Sequence, residues 1–345
     1  MNTTDFDFGC FTTVILYSGQ KIVNSKTNHI YVMLVYYEYM QNLKKYLGYL
    51  VIIITIVGFG VYLKLNPAVI DQLRSTKIST IVIVLFLYSF MTGILIIISK
   101  VLLRLSDMVL SEKENALMIM YSSVVNFFGP LQSGPGFRVV YLKKKHDINI
   151  RKYLSANVVY YSFFALISGS FILSGVISMG YALLLGVLAI CIAILSPNVF
   201  RYIPVIGSSK YFSNIKEVAS KFRKEIVMLA LLTATQLVTI TGVYFVELKS
   251  IDASVQFWQA IIYAGAANLS LFVSLTPGAL GFRESFLFFS QRLHQINSDT
   301  IVAASILDRA LFVLFLALMM LVILLVHGKQ LLSVGRIKSS KILEK

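Results

Sequence analysis

The chain has 345 residues, of which 57% are hydrophobic and 14% charged, and its mean hydropathy is +0.78. An ordinary soluble domain is about 45–50% apolar, so this composition argues against a water-soluble globule. The formal charge of +15 does not point to nucleic acid. The basic residues lie in blocks between apolar runs, where lipid headgroups and the positive-inside rule account for them.

The two ends of the chain are predicted to lie outside the membrane domain. Residues 1–45 are rich in polar and aromatic side chains, show no secretory signal, and are predicted to be poorly ordered. Met33 and Met40 are alternative starting positions within this segment. Residues 331–345 are predicted to form a basic C-terminal tail, which leaves 46–330 as the membrane domain.

Apolar segments predict an all-α polytopic bundle, since a helix needs about 20 apolar residues to cross a bilayer. Full spans are predicted at 46–63, 78–103, 153–175, 176–195, 226–246 and 301–326. Two further apolar stretches, 116–137 and 256–291, each carry one copy of a repeated motif. Each of these is predicted to be a pair of half-helices, giving about six full spans and two re-entrant hairpins. Eight complete spans remain the alternative.

The repeated motif combines helix breakers with an arginine, and His-x-Ile-Asn follows each copy at 146–149 and 294–297. The predicted helix-break residues are Pro130, Gly134, Pro277, Gly278 and Gly281. Lipid cannot satisfy the backbone groups that a break releases, so breaks at matching places in two halves indicate a transporter's binding site. Nearby polar residues are predicted mainly to satisfy those groups, and they are Asn126, Gln132, Ser133, Asn268 and Thr276.

The positions of lysine and arginine predict the orientation. Basic blocks occur at 138–152, at 196–225 and in the C-terminal tail. All three are cytoplasmic only if both broken segments return to the side from which they entered. The predicted repeat halves, 78–175 and 226–326, then have opposite topologies, and both chain termini lie in the cytoplasm. The predicted location is the plasma (inner) membrane.

Five charged side chains near the breaks are the candidate substrate-binding residues, namely Arg138, Arg283, Glu284, Asp308 and Arg309. Arg138 and Arg283 either hold a lipid phosphate or extend to headgroups as ordinary interfacial arginines. Opposite charges at membrane depth need partners, so we predict either the pairs Glu284–Arg309 and Arg283–Asp308 or an arrangement that leaves one of these charges free for substrate. Such pairs serve either as a structural clamp or in substrate and proton handling.

No metal, cofactor or catalytic centre is predicted. The four histidines are scattered, and Cys10 and Cys191 form no CxxC pair. Neither HExxH nor clustered carboxylates occur.

These motifs resemble elements of the lysylphosphatidylglycerol synthase transmembrane-region family, also described as the flippase-like domain. Residues 277–284 and the Leu307-Asp308-Arg309 triplet are similar to its Pro-Gly-Gly-Leu-Gly-x-x-Glu and Leu-Asp-Arg elements, with Ala279 in place of the second glycine. Pro130, Gly134 and Arg138 are similar to its Pro-x-x-x-Gly-x-x-x-Arg element. The resemblance covers about residues 46–330.

The resemblance implies a membrane domain that moves a lipid, such as aminoacylated phosphatidylglycerol, between leaflets. Relatives carry a soluble aminoacyl-transferase or glycosyltransferase domain, which this chain is expected to lack. The leading hypothesis is therefore a non-enzymatic translocator of an anionic phospholipid. The alternatives are a non-transporting partner of a lipid-modifying transferase, an intramembrane enzyme that uses Glu284 and Asp308, and a small-solute carrier.

Overall fold

The computed structural model describes residues 76–129, 133–195, 222–273 and 281–342 and the isolated positions 57, 61, 64, 276 and 279, with side chains to Leu325. Over this part of the chain the regular structure is helical. The helices are α1 (Ile78–Leu105), α2 (Glu112–Phe128), α3 (Ser133–His146), α4 (Ile150–Leu173), α5 (Met179–Leu195), α6 (Arg223–Ile251), α7 (Phe257–Ser270), α8 (Phe282–Phe289), α9 (Gln291–His294) and α10 (Ser298–Ile342).

Four of these helices are long and apolar enough to cross a membrane, and they are α1, α4, α6 and the Ser298–Leu325 part of α10. They coincide with predicted spans to within a few residues. The predicted span 176–195 corresponds to the shorter apolar α5. The predicted span 46–63 lies outside the described residues except at its positions 57 and 61. The protein is therefore a multi-pass, all-helical membrane protein.

Both motif-bearing segments are interrupted. The first divides into α2 and α3 between Phe128 and Ser133. The second divides into α7, a short 3₁₀ turn over Leu271–Val273, and α8. Gly134 lies in the first turn of α3 rather than in the interruption, and Gly281 directly precedes α8. The helix-break candidates Pro130, Pro277 and Gly278 lie outside the described residues.

Each broken segment folds back on itself. Glu114, at the start of α2, contacts His146 at the end of α3, with 2.7 Å between Oε1 and Nε2. In the second segment, the amide Nε2 of Gln259 near the start of α7 donates to the carbonyl oxygen of His294, at 2.9 Å. The first and last residues of each segment therefore lie at the same end of the helix bundle. We call α2–α3 hairpin 1, and α7 with α8 and α9 hairpin 2.

The two hairpins start from opposite ends of the bundle, because α1 and α6 are antiparallel. Tyr88 in the first half of α1 lies 3.5 Å from Glu247 near the end of α6. Lys100 near the end of α1 shares a groove with Met228 near the start of α6. Hairpin 1 follows the end of α1 and hairpin 2 follows the end of α6, so their entry points lie far apart.

The helix contacts also occur in matching pairs. If α1, α2 and α4 match α6, α7 and α10, and α3 matches α8 and α9 together, the contact of α4 with α7 corresponds to that of α10 with α2. The contacts of α1 with α10 and of α6 with α4 match in the same way. Such pairing is the arrangement that two structural repeats produce.

The His-x-Ile-Asn sequence is a helix connector in both halves. Its second residue, Asp147 or Gln295, has a positive φ of 51° or 58° and ends the preceding helix. The isoleucine is buried. Asn149 then accepts hydrogen bonds from the backbone N–H groups at the start of α4, and Asn297 accepts one from Thr300. This sequence therefore specifies a left-handed helix end followed by an N-cap.

Small residues let α7 pass through the protein interior. Almost all of its side chains from Ala260 to Ser270 are buried. A Cβ atom added at Gly265 would lie 2.8 Å from the carbonyl oxygen of Ser168 on α4. Only glycine permits so close an approach of the two backbones.

Candidate functional site

A cavity of about 310 Å³ lies between the two hairpins. Asn126 and Pro135 line it from hairpin 1, and Thr276 and Ala279 line it from the segment that joins α7 to α8. Four of the five charged candidates also line it, and they are Arg138, Arg283, Asp308 and Arg309. The structure thus brings both copies of the repeated motif to one chamber.

The two predicted ion pairs are present. Arg283 Nη1 donates to Asp308 Oδ2 at 2.5 Å, and both side chains are largely buried. Arg309 Nη2 donates to Glu284 Oε1 at 2.6 Å. Both pairs join α8 to α10, so they fix the second half of hairpin 2 against the last membrane helix.

The turn before α8 positions these pairs. Gly281 has a φ of 80°, and its backbone N–H donates to Glu284 Oε2 at 2.9 Å. Glu284 therefore caps the start of α8 with one carboxylate oxygen and holds Arg309 with the other. Ala279 is also left-handed, with a φ of 58°. A residue with a Cβ pays roughly 1–2 kcal/mol there relative to glycine.

Arg138 is the cation at the other side of the cavity. Its backbone lies in α3, and its guanidinium interacts with tyrosines of α4: it is hydrogen-bonded to Tyr161 and lies in the electrostatic field of Tyr153 and Tyr160. No salt bridge joins it to a carboxylate among the described residues. Its Nε atom is buried and has no hydrogen-bond partner there. Arg138 therefore presents a guanidinium that no described acid neutralises.

Arg283 also retains unused donors. Asp308 engages Nη1, while Nε and Nη2 are buried and have no hydrogen-bond partner among the residues that the structure describes. Burying such donors without an acceptor is costly. An anion in the cavity would offer the missing acceptors to Arg283 and to Arg138.

Two residues of this site were not among the sequence-based candidates. The hydroxyl of Tyr88 on α1 donates to Asp308 Oδ1 at 2.7 Å and lies 3.5 Å from Glu247 Oε1. Glu247 is 1% exposed. The predicted span ends at residue 246, which places Glu247 in a loop, whereas α6 continues to Ile251. The signal that could have found it is the helical continuation of the apolar pattern through Leu248.

The polar residues beside the breaks satisfy the backbone, as predicted, where the structure describes their bonds. Ser133 Oγ donates to the carbonyl oxygen of Val125 at 2.8 Å, and Asn126 Oδ1 accepts from the N–H of Gly134 at 3.3 Å. Asn268 is fully buried, and its side-chain amide has no partner among the described residues. Thr276 lines the cavity, and Gln132 lies outside the described residues.

A second charged cluster, away from the cavity, joins the start of α2 to the end of α3. Glu114 Oε1 accepts from Tyr141, Lys145 and His146, at 2.6, 2.6 and 2.7 Å respectively. Burial acts to raise the pKa of Glu114, but these hydrogen bonds outweigh it and lower the pKa to about 2. Glu114 therefore remains ionised at neutral pH and ties α2 to α3.

The family description "Lysylphosphatidylglycerol synthase TM region" matches residues 46–319, which include both hairpins and the cavity. The chain belongs to this family. A search of curated proteins finds no significant match. Membership of the lysylphosphatidylglycerol synthase transmembrane-region family links this membrane protein to lipid metabolism or transport.

Proposed function

We propose that this protein translocates an anionic phospholipid between the leaflets of the plasma membrane, with both termini in the cytoplasm. The observation that carries the proposal is the cavity between the hairpins, to which Arg138 and Arg283 bring buried donors that no described residue accepts from. A guanidinium binds a phosphate through two parallel hydrogen bonds, which favours phosphate over a less directional anion. Aminoacylated phosphatidylglycerol is one candidate substrate.

The size of the cavity supports a headgroup as the bound part of the lipid. Ligand pockets usually have volumes of about 300–1,000 Å³, and this one has about 310 Å³. A phosphate with its polar substituent fits such a volume, whereas two acyl chains do not. The apolar lining residues Phe127, Phe272 and Phe312 would face the glycerol and the first methylene groups.

The arrangement of the hairpins supports alternating access. Re-entrant segments that approach a central site from opposite ends can open it to one side at a time. Hairpin 2 is held to α10 by Arg283–Asp308 and Arg309–Glu284. A phosphate bound at Nε and Nη2 of Arg283 would share that guanidinium with Asp308, so binding would weaken one of the two ion pairs that hold hairpin 2.

The ion pairs also support a non-enzymatic role. An intramembrane enzyme would need Glu284 and Asp308 together as an acid–base pair, but both oxygens of Glu284 are engaged, one by the N–H of Gly281 and the other by Arg309. We therefore propose that any chemistry on the lipid belongs to a separate transferase.

The test is leaflet exchange of fluorescent phosphatidylglycerol in proteoliposomes that contain the full chain. Arg138→Ala removes hydrogen bonds to a charged group, each worth about 1.5–3 kcal/mol, so we expect exchange to fall at least tenfold. Arg138→Lys keeps the positive charge but loses the two parallel donors of the guanidinium, so its exchange rate should lie between those of wild type and Arg138→Ala. Arg151→Ala, an exposed arginine of α4, is the control that should keep the wild-type rate.

Equal exchange in wild-type, Arg138→Ala and protein-free vesicles would refute translocation. Stable co-purification with a lipid-modifying transferase, together with no exchange, would instead identify a non-transporting partner of that enzyme.

A further inference from the structure

Glu247 is a deeply buried carboxyl group behind the cavity, to which the transport proposal assigns no role. Its side chain is 1% exposed, and its Oε2 atom has no hydrogen-bond partner among the described residues. Its Oε1 atom lies 3.5 Å from the Tyr88 hydroxyl. A charged carboxylate in such surroundings needs a cation of its own or several hydrogen bonds, and the described part of the chain offers Glu247 neither.

The titratable groups facing Glu247 leave it without a compensating charge. They come from five helices and are Tyr88 of α1, Tyr244 of α6, Tyr263 of α7, Arg283 of α8 and Asp308 of α10. The only cation among them, Arg283, is paired with Asp308. When two carboxyl groups share one cation, one of them keeps its proton. Since Asp308 holds the arginine, Glu247 holds the proton.

Tyr88 connects this proton to the cavity. Its hydroxyl donates to Asp308 Oδ1 at 2.7 Å, so its oxygen remains able to accept a proton from Glu247. Tyr88 and Asp308 both line the cavity, whereas Glu247 does not. A proton that leaves Glu247 therefore has a route through Tyr88 and Asp308 to the chamber.

The charge balance of the site depends on this proton. The cavity and its supporting contacts contain the cations Arg138, Arg283 and Arg309 and the carboxyl groups Asp308, Glu284 and Glu247. With Glu247 protonated, the described groups carry one excess positive charge, which matches a single phosphate anion. With Glu247 ionised, they are neutral.

We propose that Glu247 is a proton-binding site and that its proton accompanies the lipid anion across the membrane. This rests on the proposed function, because the anion is the phosphate of the transported headgroup. Protonated Glu247 favours anion binding, and by reciprocity the bound anion favours the proton. Loss of the proton on the opposite side neutralises the site and releases the anion.

The proton of Glu247 reaches the cavity through two intermediate carriers, Tyr88 and Asp308. The O–H bond of Glu247 breaks as its proton joins the Tyr88 oxygen, and the Tyr88 proton passes to Asp308. Asp308 then gives a proton to water in the cavity, which restores its carboxylate and its pair with Arg283. The net change is one proton released to the open side and one carboxylate formed at Glu247.

The first experiment needs no transport. Infrared spectroscopy of the purified full-length protein should show the C=O band of a protonated carboxyl group that disappears in Glu247→Gln. Glu225→Gln, on the same helix but partly exposed, should retain the band. An identical spectrum in Glu247→Gln and wild type overturns the proton site, whether or not the protein moves lipid.

The second experiment measures binding of dihexanoyl phosphatidylglycerol by the purified protein across a pH series. Affinity should weaken with rising pH as Glu247 titrates, approaching about tenfold per pH unit if one proton is linked. Glu247→Gln should keep the low-pH affinity throughout, and Glu225→Gln should follow wild type. If the affinity of Glu247→Gln changes with pH as that of wild type does, the coupling between the Glu247 proton and anion binding is refuted.

In proteoliposomes with an imposed pH gradient, fluorescent phosphatidylglycerol should move faster from the acidic to the alkaline side. Glu247→Gln and Tyr88→Phe should lose this response, whereas Glu225→Gln should keep it. If wild-type exchange requires Arg138 but its rate does not respond to the pH gradient, translocation is supported and proton coupling is refuted. Absence of exchange would refute translocation and the co-transport with it, while the infrared band would still decide whether Glu247 holds a proton.

Discussion

The arginines at the cavity differ in how their charge is compensated. Arg283 is held by Asp308, with 2.5 Å between Nη1 and Oδ2, whereas Arg138 has no carboxylate partner among the described residues. The sequence treats them as equivalent members of a repeated motif. In the structure Arg283 ties α8 to α10 through Nη1, while its Nε and Nη2 atoms have no hydrogen-bond partner among the described residues.

Breaking the Arg283–Asp308 pair should be strongly destabilising. Asp308→Asn leaves a buried guanidinium uncompensated, so we expect the free energy of unfolding to fall by about 3–5 kcal/mol. Replacing both residues, as in Arg283→Met with Asp308→Leu, removes both charges and should cost less. Unfolding in detergent, run as a double-mutant cycle, measures the difference. A double variant less stable than Asp308→Asn would contradict this.

His294 should make stability depend on pH. It is the last residue of α9, is fully buried, and donates from Nε2 to the carbonyl oxygen of Leu287 while its Nδ1 accepts from the N–H of Ile296. Burial lowers its pKa below the ordinary value of 6.5, against the raising effect of the Leu287 hydrogen bond. The unfolded chain therefore takes up a proton first as the pH falls.

The stability that neutral His294 contributes should be present above about pH 6.5 and should be lost as the pH falls through the lower folded-state pKa. Melting temperatures measured from pH 7.5 to 5 check this, with His294→Gln as the comparison. The melting temperature of His294→Gln should depend less on pH than that of wild type. Equal pH dependence in the two proteins would show that His294 is not responsible.

The hairpins depend on close contact between their half-helices. In hairpin 1, a Cβ atom at Gly134 would lie 2.6 Å from the carbonyl oxygen of Ser122 and 2.8 Å from Cβ of Asn126. Gly134 thus determines how closely α3 packs on α2, and thereby where Arg138 lies one turn later. The motif glycine acts through packing at this position, and the chain interruption precedes it.

Gly134→Ala should separate α2 from α3. Overpacking of this kind costs about 1–3 kcal/mol, and we expect a similar loss of stability together with slower lipid exchange. Gly136→Ala is the matched control, because a Cβ there meets nothing within 4 Å. Because a helix interior favours alanine over glycine, Gly136→Ala should raise the free energy of unfolding by about 0.5–1 kcal/mol. Equal thermal stability of the two variants would show that the contact is unimportant.

At the scale of the helix bundle, α1 and α6 are antiparallel, so the two hairpins that follow them begin at opposite ends of the bundle. The connectors around hairpin 1 are joined by a salt bridge of 2.6 Å between Asp107 and Lys152. Within hairpin 2, α7 is joined to α9 by the hydrogen bond from Gln259 to the carbonyl oxygen of His294. The start and the end of each hairpin therefore lie close together.

Labelling of single cysteines should reveal this topology in intact cells. In a background with Cys10 and Cys191 replaced by serine, Ser111→Cys and Asp147→Cys should both be protected from an impermeant reagent. Ser254→Cys should be labelled from outside. Eight complete spans would instead place positions 111 and 147 on opposite sides of the membrane, so labelling of only one of them would refute the re-entrant hairpin.

The sequence by itself determined the membrane class, the long helices, the family and the positions of the breaks. These follow from apolar run length and from proline and glycine, which act locally along the chain. It also predicted both ion pairs, because adjacent opposite charges at membrane depth leave few economical partners.

Only the tertiary structure brought Glu247, Tyr88 and Asp308 together, since these residues come from three helices and no local pattern joins them. It also separated the partly paired Arg283 from Arg138, which has no acidic partner among the described residues. Burial and charge compensation depend on packing between distant segments. A repeated motif can therefore mark both arginines without showing which acid neutralises either of them.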